Sequence, residues 1–279
     1  MSTPFERMEV FQDTQNWIQQ DHELADSIPV AKNNTTIFYE NDYPAFDTSK
    51  TKDQRIEVTK DRSFQAAMRL HKEKPDSKIA VMNFANAFYP GGGVVKGAAA
   101  QEESLCRIST LYPLIYRRTL KDSFYKHHHD LGTSKASDSL IYTEGVIICK
   151  TDEDQPKRMD RKDWVRVDVI TIAAPDLREK SNLNLQLLST GSYMNSAELF
   201  GYHVKRAIHM LTCAAAKGAD TLVLGAFGCG AFQNDPNVVA KAYKIALEEF
   251  PKVFERIEFA IYCRPDETRN YDIFKMVLE

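Results

Sequence analysis

Short apolar runs alternate with segments of helical spacing along this chain, and no other feature constrains its fold as tightly. Residues 79–82 read Ile-Ala-Val-Met, typical of a buried strand, and Phe64, Ala67 and Met68 precede them at helical spacing, with Asp61 as the predicted helix cap. Strands that alternate with helices indicate a layered α/β fold around a parallel or mixed sheet. The other predicted strands are residues 140–149, 165–173, 221–225 and 257–262, and the other predicted helices are residues 197–217, 238–250 and 267–278.

The N-terminal part of the chain has a different pattern. Met8, Phe11 and Ile18 lie at roughly helical spacing, which predicts an amphipathic helix over residues 6–20. A β-rich run follows at residues 35–39, and residues 43–53 read as a loop. A chain of 279 residues that is 43% hydrophobic can bury a full core. We therefore predict one main domain, residues 55–279, with residues 1–54 as a helical and loop extension packed on it.

The overall charge excludes a general attraction to nucleic acid. Lys and Arg number 36 against 39 for Asp and Glu, which gives a net charge of -3. We therefore expect no sequence-specific nucleic acid partner, and a polyanionic ligand would have to be bound by local groups.

The cysteines and the N-terminus favour a cytoplasmic protein, with a nuclear location as the alternative. The five cysteines are odd in number and contain no CxxC pair, so reduced thiols are expected. Residues 1–10 contain no apolar run, so neither a secretory signal nor a membrane partner is expected.

A glycine loop follows the strand at residues 79–82. Asn83 and Asn86 come first, and Gly91, Gly92 and Gly93 then allow close approach of the backbone to a ligand and can turn amides toward a diphosphate. Neither a GxGxxG fingerprint nor a P-loop fits the segment. An ordinary flexible turn is the alternative interpretation.

Two adjacent carboxylates follow at a predicted helix start. Glu102 and Glu103 would face the glycine loop there. Because neighbouring helix residues diverge by about 100°, the two side chains should have different tasks. The alternative is that both only favour the helix dipole.

A second glycine loop follows the strand at residues 221–225. Gly225, Gly228 and Gly230 allow another close backbone approach, so two loops could hold a diphosphate from both sides. Core packing is the alternative role for Phe227 and Phe232. Cys229 has no histidine beside it in the loop, so a nucleophilic role is not favoured.

The order of these motifs resembles a known family. Gly91-Gly92-Gly93, seven residues, and then Gln101-Glu102-Glu103 is similar to the signature of poly(ADP-ribose) glycohydrolases, and residues 101–107 resemble the bacterial-type branch. The resemblance implies a macrodomain-like three-layer α/β/α fold with a mixed central sheet and an N-terminal helical extension. It also implies that Glu103 is the general acid at the ribose-ribose bond and that Glu102 binds the ribose.

The same resemblance implies the ligand contacts, and with them a glycosidase that needs no metal or organic cofactor. The substrate would be poly(ADP-ribose) or ADP-ribosylated protein, cleaved from the chain end to release ADP-ribose. Phe227 would pack on the distal ribose, and Asn86 rather than Asn83 would contact the ligand. The implied substrate-binding residues are Asn86, Gly91, Gly92, Gly93, Gln101, Ala226, Phe227, Gly228, Cys229, Gly230 and Phe232.

Two rival functions use the same motifs. A non-catalytic ADP-ribose reader would need only the glycine loops, so the presence of Glu102 and Glu103 counts against it. A hydrolase of mono-ADP-ribosylated substrates would use the same acid with another leaving group. A metal site at His127, His128 and His129 is not expected, because a polar turn explains that run better.

Overall fold

The computed structural model describes residues 2–49, 51–178 and 194–279. Its centre is a seven-stranded mixed sheet in the order β1-β4-β5-β3-β6-β7-β2. The pairs from β5 through β3, β6 and β7 to β2 are parallel, whereas β4 is antiparallel to both β5 and β1. The strands are β1 (Thr35–Phe38), β2 (Arg55–Thr59), β3 (Ile79–Phe84), β4 (Leu140–Ile148), β5 (Val165–Ile172), β6 (Thr221–Leu224) and β7 (Arg256–Ala260).

Helices cover both faces of the sheet. A π-helical turn over Lys121–Tyr125 joins two of them, and among the described residues none combines the length and apolar character that a bilayer crossing needs. The helices are α1 (Pro4–Gln20), α2 (His22–Asn33), α3 (Ser63–Glu73), α4 (Gln101–Ile108), α5 (Leu111–Ile115), α6 (Arg118–Leu120), α7 (Lys126–Leu131), α8 (Ser196–Ala216), α9 (Pro236–Glu249) and α10 (Arg269–Leu278).

Alternate residues of β3 show why the fold has three layers. Ala80 and Met82 belong to the core shared with α8, α9 and α10, while Ile79 and Val81 belong to the core shared with α1, α3, α4 and α5. Successive side chains of a strand point to opposite faces, so a strand apolar at every position must be covered twice. The predicted α/β/α architecture is therefore confirmed.

All the strands and helices predicted for the main domain are present, with ends displaced by a few residues. The helix predicted at residues 6–20 and the strand at residues 35–39 are also confirmed, as α1 and β1. β1 lies in the predicted extension but pairs with β4 in the central sheet. The division after residue 54 remains a prediction.

Asp61 does not cap α3. Its carboxylate pairs with Arg69 at 2.8 Å, and the amides of Phe64 and Gln65 instead donate to Asp152 at 3.1 and 3.3 Å. The orphan amides at a helix start need an acceptor, but here it comes from the segment after β4. The predicted cap was wrong because the true acceptor lies 88 residues from Phe64 in the sequence.

The polar turn predicted at His127–His129 is also wrong, because the three residues lie in α7. Their side chains diverge to Glu40, Ser137 and the main-chain oxygen of Phe88. No cluster suited to a metal ion occurs within residues 2–49, 51–178 and 194–279.

A buried ion pair ties α8 to the ends of the sheet. Arg206 is 1% exposed and donates to Asp138 at 3.0 Å, just before β4, and to the oxygen of Ala173, just after β5, at 3.1 Å. Lys205 also reaches Asp138, at 2.7 Å. Asp138 therefore neutralises a charge that water cannot reach.

Replacement of this carboxylate should destabilise the fold strongly. Asp138→Ala leaves the Arg206 charge buried and uncompensated, so the free energy of unfolding should fall by about 3–5 kcal/mol in urea titrations. The control Arg118→Ala removes an exposed pair with Asp122 and should cost at most about 1 kcal/mol. Equal losses in the two variants would contradict this role.

Candidate active site

The first glycine loop is built on the end of β3. The side-chain oxygen of Asn86 accepts hydrogen bonds from the amides of Phe88 and Tyr89, each at 2.9 Å. Gly91 and Gly92 have φ values of +74° and +55°, which favour glycine. An added Cβ on Gly91 would lie 2.7 Å from the ring of Tyr112. The loop is thus a fixed turn rather than a flexible one.

Gln101 attaches the start of α4 to β3. Its Oε1 accepts from the amide of Phe84 at 2.9 Å, and its Nε2 donates to the oxygen of Met82 at 2.7 Å and to Ser63 Oγ at 3.0 Å. Both ends of the side-chain amide are therefore engaged within the protein. Gln101 lines the cavity described below, and these bonds give it a structural task there.

Glu102 is 2% exposed and faces the glycine loop. Its Oε2 accepts from the amide of Asn86 at 2.8 Å, and its Oε1 accepts from the amide of Gly91 at 3.2 Å. Burial raises the pKa of Glu102 to about 8; the amide of Asn86 opposes this shift, and the neighbouring Glu103 carboxylate adds to it. Glu102 is thus a buried carboxyl held by backbone donors.

Glu103 has one engaged and one available oxygen. Its Oε1 accepts from the amide of Gly93 at 2.9 Å, whereas its Oε2 is buried and has no hydrogen-bond partner within the described parts of the chain. An added Cβ on Gly92 would lie 2.4 Å from Oε1, so only glycine fits there. The two carboxyl groups differ in surroundings, in line with the expectation that their tasks differ.

The amides of the three loop glycines all donate hydrogen bonds within the protein. Gly91 and Gly93 donate to the two glutamates, and Gly92 donates to the oxygen of Tyr89 at 2.9 Å. The sequence suggested that these amides face a diphosphate. In the structure the amides of Gly91 and Gly93 position carboxylates instead, because α4 places Glu102 and Glu103 directly beside the loop, and the amide of Gly92 closes the turn.

The second glycine loop does leave amides available. The amides of Gly228, Gly230 and Ala231 donate to no residue that the structure describes, whereas the amide of Cys229 donates to the oxygen of Ala226 at 3.0 Å. Burial raises the pKa of the Cys229 thiol, which keeps it a poor nucleophile.

Asn234 anchors this second loop. Its Nδ2 donates to the oxygen of Pro175 at 2.7 Å and to the oxygen of Gly228 at 3.2 Å, and its Oδ1 lies 2.8 Å from His203 Nε2. Burial lowers the pKa of His203 to about 4, so the ring is neutral at pH 7 and donates from Nε2. Gly228 has φ +75°, and an added Cβ would lie 2.7 Å from Ala174. Sequence reasoning missed both Asn234 and His203.

The two aromatic residues of this loop differ in exposure. Phe227 is 1% exposed, and its ring packs against Phe84 and His203. Phe232 is half-buried, with the guanidinium of Arg178 over its ring at 5.2 Å. These contacts favour the core-packing interpretation for Phe227 and leave Phe232 the more accessible ring.

Both loops open on one cavity of about 610 Å³. Gly91, Gly92 and Cys229 are not among the residues that line it. The predicted residues that line it are Asn86, Gly93, Gln101, Glu102, Glu103, Ala226, Phe227, Gly228, Gly230 and Phe232. Lining residues that the sequence did not single out include Arg62, Ala174, Arg178, Tyr262 and Asn270.

Known structures resemble the whole chain. Poly(ADP-ribose) glycohydrolase from Thermomonospora curvata is 28% identical, with 97% of this chain and 98% of that chain covered at a TM-score of 0.82. The same enzyme bound to the inhibitor ADP-HPD gives 28% identity, coverage of 96% and 97%, and a TM-score of 0.80. Poly(ADP-ribose) glycohydrolase from Deinococcus radiodurans in complex with ADP-ribose gives 30% identity, coverage of 90% and 97%, and a TM-score of 0.75.

A family assignment follows from the sequence match. No curated protein matches the chain. Residues 7–151, more than half of the 279 residues, match the model of the microbial-type PARG catalytic domain. The segment contains the first glycine loop and both glutamates. The chain therefore belongs to the family of microbial-type poly(ADP-ribose) glycohydrolases.

Proposed function

We propose that this protein is a poly(ADP-ribose) glycohydrolase that hydrolyses ribose-ribose O-glycosidic bonds and releases ADP-ribose. Its family and the structures that it resembles support this activity. The ADP-ribose and ADP-HPD complexes of the Deinococcus and Thermomonospora enzymes support the cavity as an ADP-ribose site. Action at the chain end is the further proposal that the resemblance to the bacterial-type branch implies.

The observation that carries the chemical proposal is the environment of Glu103. One carboxylate oxygen is held by the amide of Gly93, and the other is buried without a partner on a residue that lines the cavity. A buried polar atom without a partner costs free energy unless a ligand satisfies it. Glu103 is therefore the group best placed to exchange a proton with a bound substrate.

The reaction needs two proton transfers, one from Glu103 and one back to it. Glu103 donates its proton to the ribose oxygen that leaves, and the glycosidic carbon-oxygen bond breaks with both electrons on that oxygen. The ribose carbon carries the resulting positive charge as an oxocarbenium-like centre. Water then adds to this carbon and returns a proton to Glu103, which restores the acid. In this proposal Glu102, which also lines the cavity, holds the ribose hydroxyls.

The second glycine loop supplies the diphosphate contacts in this proposal. Gly228, Gly230 and Ala231 line the cavity, and their available amides are donors without positive charge. Such donors suit a protein of net charge -3 that must bind a polyanion at one place only. Asn86 Nδ2, which donates to no residue that the structure describes, adds a donor on the ribose side.

Loss of the acid should separate binding from chemistry. Glu103→Gln should lower the rate of ADP-ribose release from purified polymer by about 10²–10⁴-fold, because general acid catalysis is lost. ADP-ribose binding in calorimetry should change little, since the side-chain volume is kept. Glu249→Gln, an exposed residue far along the chain, is the matched control and should behave as the wild type. Near-normal turnover in Glu103→Gln would exclude Glu103 as the acid.

A methyl group at Gly92 should also lower turnover, because it would displace the Glu103 carboxyl group. Gly92→Ala places a Cβ 2.4 Å from Glu103 Oε1, so the carboxyl group must move and turnover should fall by about 10²-fold. Gly218→Ala is the control: it has a similar φ of +73° but nothing within 4 Å of the added Cβ. Polymer assays on both variants separate displacement of the acid from backbone strain. Equal activities would show that the Gly92 contact is unimportant.

A further inference from the structure

We infer that Arg7 of α1 is a positioning residue for Glu103, and that the N-terminal helix is thereby part of the catalytic apparatus. The inference rests on the proposed function of Glu103. Arg7 lies far from the cavity-lining residues in sequence and lines a neighbouring cleft rather than the cavity itself. Its effect must therefore pass through the segment between the glycine loop and α4, residues 93–100, which we call the strap.

The strap forms one wall of the substrate cavity. Gly93, Ala98, Ala99 and Ala100 all line it. None of these four residues has a side chain beyond Cβ; of the other strap residues, Val94 packs into the core that contains α1, α3, α4 and α5. The wall itself is therefore held by hydrogen bonds and backbone contacts from outside, one of which is the bond from Arg107 Nη1 of α4 to the oxygen of Ala98 at 2.6 Å.

α1 provides further contacts. Arg7 Nε donates to the oxygen of Gly97 at 2.6 Å, and its Nη1 donates to the oxygen of Ser2. Gly97 has φ +70°, and an added Cβ would lie 2.1 Å from the main-chain oxygen of Pro4. The first turn of α1 therefore lies directly against the backbone of the strap, and the guanidinium of Arg7 fixes their separation.

Three hydrogen bonds connect Arg7 to the acid. After the bond from Arg7 to Gly97, the amide of Ala98 donates to the oxygen of Gly93 at 3.1 Å. The amide of Gly93 then donates to Glu103 Oε1 at 2.9 Å. The first two bonds share the planar Gly97–Ala98 peptide group, and the Cα of Gly93 joins the second bond to the third, so a displacement of Gly97 reaches the residue whose amide orients the Glu103 carboxyl group.

α1 also supports the same structure at two further points. Thr14 donates to the oxygen of Arg107 at the end of α4. The ring of Phe11 packs edge-on against Tyr112 at 4.8 Å, and Tyr112 fills the space beside Gly91. These contacts fix the helix as a whole, which leaves Arg7 as the residue of α1 whose side chain donates directly to the strap.

The test compares Arg7→Met, Arg7→Lys and Arg158→Met in the 279-residue chain. Arg158 holds the other end of α1 through Asp13 and Trp17 and does not contact the strap, so its loss tests general loosening of the helix.

We expect Arg7→Met to lower kcat on poly(ADP-ribose) about tenfold, equivalent to about 1.4 kcal/mol of activation free energy. The Kd for ADP-ribose should change less than about twofold, because the second glycine loop is untouched. Arg7→Lys retains a donor and should recover most of the rate, whereas Arg158→Met should keep the wild-type kcat.

Hydrogen exchange gives a readout that does not depend on activity. The amides of Gly93 and Ala98 should exchange faster in Arg7→Met than in the wild type or Arg158→Met. A lower melting temperature with unchanged kcat and unchanged exchange at these amides would show a merely structural role and overturn the inference. If the wild type released no ADP-ribose, the proposed function would fail, and the exchange data alone would still decide whether Arg7 holds the strap. Equal exchange in all variants would reject it.

Discussion

The structure depends on the hydrogen bonds between the backbone of the first glycine loop and two buried carboxyl groups. The amides of Asn86 and Gly91 meet Glu102, and the amide of Gly93 meets Glu103. Carboxyl groups lose their hydration when they are buried, so each needs donors at fixed places. A loop with side chains at Gly91 or Gly92 could not come close enough to supply them. The glycine run and the glutamate pair are therefore two halves of one arrangement.

In the proposed function, the second loop binds a polyanion although the protein carries a slight negative charge. The available amides of Gly228, Gly230 and Ala231 supply donors without attracting anions elsewhere on the surface. Asn234 fixes the curvature of the loop, and the neutral His203 fixes Asn234. In the proposed function the first loop holds the groups that act on the ribose bond, and the second loop binds the diphosphate.

Local sequence patterns predicted much of this arrangement. Apolar runs such as residues 79–82 gave the strands because burial on both faces leaves a continuous apolar signature. The order of the motifs indicated the family, and it predicted correctly that Glu102 and Glu103 face the first glycine loop.

Contacts between distant segments could not be predicted: Asp152 caps α3, Asn234 anchors a loop through Pro175, and Arg7 reaches Gly97. Short β2 was also missed: three of its five residues are charged or polar, and their alternation with Ile56 and Val58 is too short to identify a strand. The amides of Gly91–Gly93 were assigned to a diphosphate because the sequence does not show how closely α4 approaches the loop.

Cleavage of the ribose-ribose bond can be followed by mass spectrometry of the products formed from purified polymer, sampled from the first turnovers onward. We expect ADP-ribose as the released product from the earliest time point while the polymer shortens. Release of phosphoribosyl-AMP or AMP, which requires cleavage within the diphosphate, would contradict this expectation, as would a polymer that stays intact.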